Sequence, residues 1–313
     1  MLVNAEDLYF SNHTLVDFID EIHKYSDWSR ELKLIYDYHR HLQVIFTGSS
    51  ILDITQGEAD LSRRVVGYEL AGLSFREFLL FRHDIEIPSA TLDDIINHNV
   101  DFPDEFKPYA YFADYLQTGY YPFSHEHNFE YRLAQTVTKT LEVDIPQYTE
   151  ITTAMAKKLK RLLTIISESV PFKPNMTSIA QILGVSRNIL PEWFVFMERA
   201  GLIAQLRDDT GGIRGLGKVE KVYLDNPNLM NLLGNADTGN VRETFFFNQM
   251  HVSHDVIVSP AADFQIGDLT FEIGGKNKKQ KQISGIPNAF VVKDDIEKGY
   301  ANVLPLWMFG LGY

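Results

Sequence analysis

The chain has 313 residues, with 29 Lys or Arg against 42 Asp or Glu, a formal net charge of −13 and a pI near 5.2. Such a balance opposes binding driven by phosphate counterion release, so DNA is a partner disfavoured by net charge, although a local basic patch would override this. The absence of cysteine excludes a disulfide framework or thiolate metal site. The opening MLVNAEDLYFSNH lacks the basic and apolar regions of a signal peptide, and no run reaches membrane-spanning length, so a cytoplasmic protein with no membrane partner is expected.

Leu15-Val16-Asp17-Phe18-Ile19 reads as an apolar strand that ends in two carboxylates, Asp20 and Glu21. Asp27 is an N-cap candidate for a helix to residue 38, with Trp28, Leu32, Ile35 and Tyr36 at helical spacing. A second apolar strand, Val44-Ile45-Phe46, ends in Thr47-Gly48-Ser49-Ser50, and Leu61-Ser62-Arg63-Arg64 follows. Asp17 interrupts the continuous apolar run that a buried central strand needs. Ser74-Phe75-Arg76-Glu77 is a capping box that opens a further helix.

In a P-loop ATPase, the first carboxylate after such a strand helps hold Mg²⁺ and the second polarises the attacking water. Hydroxyls at the tip of the neighbouring strand contact that water or the γ-phosphate, and an arginine neutralises transition-state charge. The segments IDEIHKYSDWSRELKLIYD (19–37), VIFTGSS (44–50) and LSRRVVGYELAGLSFREFL (61–79) resemble prokaryotic AAA-type ATPases that carry a C-terminal restriction-nuclease-like domain of unknown function. The resemblance covers most of the chain. It implies ATP and Mg²⁺ as ligands, Asp20 as the metal and nucleotide residue, Glu21 as the water activator, Thr47 and Ser49 as sensors, and Arg64 as the arginine finger.

The phosphate loop G-x-x-x-x-G-K-[ST] belongs upstream of Asp20, where backbone N–H groups cradle the phosphates. Nineteen residues precede Asp20, too few for that βαβ unit. Gly212 to Lys218 satisfies the glycine and lysine spacing, but Val219 replaces the hydroxyl and a strand follows; it reads as a turn, as does Gly234 to Asn240. A poor or inactive ATPase is therefore expected.

Residues 84–170 read as mostly helical, punctuated by Pro88, Pro103 and Pro108. His125 and His127, beside Glu126 and Glu130, read as a solvated helix start rather than a metal site. From Thr177 the pattern is a winged helix: a helix at 179–183, a turn at Gly184-Val185-Ser186, a second helix from Arg187 to Ala200 stopped by Gly201, and a wing opened by Leu202-Ile203-Ala204 with Gly211 and Gly212 at its tip. The second helix carries Pro191, Glu192, Trp193, Phe194, Phe196 and Glu198. These residues pack rather than read base edges.

In the last section, Glu243, Asp263, Glu272 and Lys276 resemble the PD-(D/E)xK nuclease pattern and are the weaker metal-site candidates. In that fold the carboxylates gather a divalent cation. A Glu-x-Lys pair works because residues two apart on a strand share a face, yet the required position here is Gly274. Lys276 reaches that face only if the strand continues through Gly274-Gly275. Asp263 to Glu272 reads as a hairpin turning at Gly267-Asp268. Lys276, Lys278, Lys279 and Lys281 form a dense basic run, and the apolar end from Val303 to Leu311 is expected to dock.

The expected fold is α/β: a partial AAA-type P-loop ATPase core over 1–83, a helical lid plus winged helix over 84–219, and an α/β nuclease-like domain over 220–313. The expected function is that of an AAA-family ATPase-like protein, impaired for lack of a phosphate loop, with an unknown protein partner. The alternatives are a non-catalytic protein- or DNA-binding module and a metal-dependent nuclease.

Overall fold

The computed structural model describes residues 15–22, 25–48, 61, 63–103, 105–148, 152–209, 217–234 and 237–313. Contacts divide the chain into two units, residues 1–70 with 147–150 and residues 71–146 with 151–313. The fold is mixed α/β, as its alternating periodicities imply.

In the first unit, strand β1 (Leu15–Ile19) leads through helix α1 (Trp28–Tyr38) to strand β2 (Leu42–Phe46). The crossover makes the strands parallel, with Leu15 opposite Leu42 and Ile19 opposite Phe46. One face of α1 supplies Trp28 and Leu32, which with Ile22 and Leu61 form a small core flanked by Ile19, Ile35, Val44, Phe46 and Val65. The rings of Trp28 and Phe46 meet at 5.5 Å. Asp17 does not prevent β1 from forming, because it is exposed and its charge keeps its water. Asp27 precedes α1 as expected but makes no side-chain cap.

The second unit opens with helices α2 (Phe75–His83), α3 (Leu92–Ile96) and α4 (Tyr109–Asp114), the last running into a π segment, Tyr115–Gly119. Both members of the Ser74–Glu77 capping box are made, at 3.0 and 3.1 Å. The wider turn of a π segment leaves carbonyls to be satisfied from outside. Asn228 does this: its amide donates to the Tyr115 and Leu116 carbonyls at 3.1 and 3.0 Å, and its oxygen accepts from the Tyr120 N–H at 2.9 Å.

Helices α5 (Phe129–Lys139) and α6 (Thr153–Ser167) precede a helix–turn–helix made by α7 (Met176–Leu183) and α8 (Leu190–Arg199). Gly184 takes φ of 60° and Gly201 φ of 66°, the left-handed conformation that ends a helix at least cost to glycine. A hairpin of β3 (Ile203–Arg207) and β4 (Val219–Leu224) follows. Its expected tip, Gly211-Gly212, lies outside the described residues.

Helices α9 (Pro227–Leu233) and α10 (Thr238–Met250) then lead into strands β5 (Val256–Val258), β6 (Phe264–Ile266), β7 (Leu269–Gly274), β8 (Ala289–Lys293) and β9 (Val303–Pro305). The hairpin joins these strands in one seven-stranded sheet of order β4-β3-β5-β6-β7-β8-β9, through the pairing of Arg207 with Ile257. Strands β5, β6 and β7 form an antiparallel meander, and β8 and β9 add in parallel. The turn between β6 and β7 falls at Gly267, with φ of 58°. Phe245, Phe246 and Phe247 of α10 are buried, and the end of the chain, Leu306–Leu311, is buried as expected.

Candidate functional site

The two carboxyl-terminal strand tips of the first unit carry its polar residues. Because Ile19 stands opposite Phe46, the next residues, Asp20 and Thr47, fall side by side. The Thr47 hydroxyl donates to Asp20 Oδ1, and the Glu21 backbone N–H donates to the same oxygen at 3.0 Å. Backbone bonds hold this edge: Thr47 N–H to the Ile19 carbonyl at 2.9 Å, and Ile22 N–H to the Thr47 carbonyl at 3.0 Å. Glu21 turns the chain with φ of 54°. The carboxyl ends of parallel strands are where α/β folds place ligands, and an exposed carboxylate beside a hydroxyl is an oxygen donor set of the kind Mg²⁺ takes.

Asp20, Glu21 and Thr47 are thus brought together. Arg64 is engaged by Asp37 instead, with Nε 3.1 Å from Oδ1 and a second nitrogen 3.3 Å from Oδ2, and its guanidinium lies 5.9 Å from the centre of the Tyr36 ring. Ser49 lies outside the described residues. Of the two rejected phosphate-loop matches, Lys218 of the first puts its ammonium on Glu220 at 2.6 Å, and Gly234 of the second caps α9 with φ of 88°.

The nuclease-like candidates form a second polar cluster. Glu243, on α10, accepts from the Tyr223 hydroxyl at 2.8 Å and lies 3.9 Å from the Lys221 ammonium. Both partners come from β4. Burial raises the Glu243 pKa above the ordinary carboxylate value, the negative charge of Asp263 adds to this, and the Tyr223 hydrogen bond opposes it. Asp263 accepts from the backbone N–H of Ile273 at 2.8 Å. Glu272 is 1% exposed and its pKa is raised by burial, against the pull of Lys278.

The lysine of this cluster is Lys278, not Lys276. Strand β7 ends at Gly274, and a turn closed by Lys278 N–H to the Gly275 carbonyl at 2.9 Å leaves Lys276 exposed. The Lys278 ammonium sits on Glu272 Oε1. Its stem runs over Gly274, where an added Cβ would stand 2.6 Å from Lys278 Cγ and Cδ. Among the described residues, no group of three or more His, Cys, Asp or Glu is arranged to hold a metal ion. Glu272 Oε2, buried and without a hydrogen-bond partner, would suit a cation, but the remaining groups do not gather around it.

The second helix of the helix–turn–helix buries Leu190, Trp193, Phe194 and Met197. Glu198 near its end accepts from the Gln205 backbone at 2.9 Å, the Gln205 side chain at 2.7 Å and Arg207 at 2.8 Å. These bonds fix the helix to the hairpin and occupy Arg207. No helix among the described residues is long and apolar enough to cross a membrane.

Residues 3–79 match the family model described as an AAA domain, and residues 109–239 match a domain of unknown function, DUF8612. A protein of Methanocaldococcus jannaschii, the uncharacterized protein MJ1637, is 26% identical over 203 residues, which are 61% of this chain and 42% of that protein. The chain thus spans less than half of the curated relative it matches. No solved structure matches the chain. The strand tips bearing Asp20 and Thr47 fall within the AAA match, so the amino-terminal segment is similar to AAA domains.

Proposed function

We propose that the first unit supplies the magnesium- and water-facing side of an AAA-type nucleotide site. Asp20 is the Mg²⁺ ligand, Glu21 orients and polarises water, Thr47 and Ser49 read the γ-phosphate, and Arg64 is the finger once it leaves Asp37. The observation that carries this reading is the Thr47–Asp20 hydrogen bond at neighbouring parallel strand tips, inside the segment that matches AAA domains. Bound Mg²⁺ would neutralise phosphate charge. The protein's own part is to hold Asp20 level with Thr47 and to place Glu21 at the turn.

No phosphate-loop motif precedes Asp20 in these 313 residues. This chain is therefore expected to bind and turn over ATP poorly. Titration with ATP and Mg²⁺, beside the Asp20→Asn and Glu21→Gln variants, tests the assignment.

For the second unit a non-catalytic partner-binding role is supported over DNA reading, because α8 spends its large side chains on packing and Glu198 engages Arg207. A winged helix joined to a nuclease-like sheet is the proposed architecture. A salt-dependent DNA titration tests it: phosphate-driven binding weakens steeply with salt, and no such binding is expected here.

A further inference from the structure

Helix α6 carries a cationic face. Over Thr153–Ser167 it holds Lys157, Lys158, Lys160 and Arg161 and no Asp or Glu. Its other side buries Ala156, Leu159, Leu162, Leu163 and Ile166, so Lys157, Lys160 and Arg161, three and four residues apart, share the exposed side. A solvated helix face usually mixes signs, because opposite charges four residues apart stabilise a helix and like charges destabilise it by similar amounts. Lys157 and Arg161 have the unfavourable pattern, in a chain whose net charge is −13.

Little within the unit answers these charges. Lys158 donates to the Gly184 carbonyl at 2.7 Å, which sets the face beside the turn of the helix–turn–helix. Lys160 makes an exposed pair with Glu142 at 3.6 Å. Lys157, Arg161 and the exposed Arg187, just past that turn, make no ion pair among the described residues.

The complementary charge lies in the same unit. Residues 84–105 hold seven Asp or Glu and no Lys or Arg. Of these, Asp84, Glu86, Asp93, Asp101 and Glu105 are exposed and make no ion pair among the described residues. The two groups sit at opposite ends of the seven-stranded sheet. Helix α6 packs on β4, one edge strand, whereas the acidic stretch is tied to the chain around β9, the other. There the Ala90 N–H donates to the Leu311 carbonyl at 2.9 Å, and the His98 ring bonds the Ala301 carbonyl at 2.8 Å. The edges are six strand spacings apart, roughly 30 Å, so the charges do not meet within one copy.

We propose that the exposed face of α6 docks the acidic 84–105 stretch of a second copy of this chain. The inference rests on the partner-binding reading of the second unit and names the partner. Two different patches meet in such a contact, so it is head-to-tail and leaves one patch of each kind open at the ends. A nucleic acid duplex is the other anion of sufficient charge. It fits less well, because the neighbouring helix α8 packs its large side chains and Glu198 holds Arg207.

The test is sedimentation velocity of the whole chain at about 0.1 M and about 1 M salt, between which the screening length falls from about 10 Å to about 3 Å. The wild type is expected to self-associate at the lower salt and to be monomeric at the higher. Lys157→Glu with Arg161→Glu should weaken the association at least about tenfold, and so should Glu86→Lys with Asp93→Lys and Asp101→Lys, because each set brings like charges face to face. All five positions are exposed, where such changes leave folding intact. Mixed together, the two variants present opposite signs again and should associate as the wild type does. Lys157→Gln with Arg161→Gln, which only removes charge, is the second route should a reversal not fold. A wild type that stays monomeric at the lower salt would overturn the proposal. So would association that survives both reversals, or folded reversals that do not recover on mixing. A fluorescent DNA duplex titrated into the same samples separates the two levels of the reading: salt-sensitive binding that the α6 reversal abolishes would overturn both, whereas a monomer that binds no DNA overturns the self-docking alone.

Discussion

Thr47 donates its hydroxyl hydrogen bond to Asp20 across two parallel strands, although 27 residues separate them in the chain. The bond is exposed, so it contributes little to stability and much to geometry. Thr47→Val, which keeps the shape and removes the donor, is expected to change unfolding free energy by no more than about 1 kcal/mol. In contrast, Asp20→Asn should abolish the Mn²⁺-dependent broadening of the Glu21 and Ile22 amide signals in nuclear magnetic resonance when Mn²⁺ and ATP are added. Unchanged broadening in Asp20→Asn would remove Asp20 from the metal site.

Arg64 and Asp37 form a two-point ion pair with side chains 29% and 40% exposed. Solvent screening leaves such a pair worth at most about 1 kcal/mol. Arg64→Ala should therefore leave chemical denaturation almost unchanged. A loss of several kcal/mol would show that Arg64 is fixed as a structural residue and is not available as a finger.

The second unit has a pH signature. Burial raises the pKa of Glu243, so its carboxyl group contributes to stability most fully below the ordinary carboxylate pKa, and this contribution is lost as pH rises through the raised value. Glu243→Gln removes that titration and keeps an acceptor for Tyr223. As pH rises from the ordinary carboxylate pKa through the raised value, the melting temperature of the variant relative to the wild type should shift in the variant's favour and then level off. A difference that is flat with pH would mean that Glu243 titrates normally.

Asn228, itself buried, satisfies two carbonyls and one N–H at and beside the π segment, and its bonds to the Tyr115 carbonyl and the Tyr120 N–H are buried. Asn228→Ala strands the Tyr115 carbonyl and the Tyr120 N–H, each worth about 1–3 kcal/mol when buried unpaired, while the Leu116 carbonyl keeps the Asn231 amide at 2.9 Å. Equilibrium denaturation should show a loss of roughly 2 kcal/mol or more. A loss under about 1 kcal/mol would mean that the π segment finds its partners elsewhere.

Local elements were legible because their causes are local. The Ser74–Glu77 box, the glycine stops at 184 and 201, the two strands around α1 and the Gly267 turn all follow from residues within one turn of each other. Asp17 was misleading for a physical reason: the apolar rule applies to strands covered on both faces, and Asp17 is solvated. What could not be read were pairings set by the whole chain. Arg207 meets Ile257 across fifty residues, which fuses the hairpin with the last sheet, and nothing at either position announces it. Lys221 and Tyr223 reach Glu243 for the same reason. Lys278 had a signal: the Gly274-Gly275 pair both ends the strand that would have carried Lys276 and opens the path for the next lysine.

The most direct measurement is the affinity and steady-state turnover of ATP by the 313-residue chain with Mg²⁺, beside its Glu21→Gln variant. Ordinary enzymes hold substrates at roughly 1 μM to 1 mM. The account predicts binding weaker than that range and turnover indistinguishable from the variant, because no phosphate-loop motif precedes Asp20 in these 313 residues. Binding within the range, with steady hydrolysis that Glu21→Gln abolishes, would contradict it.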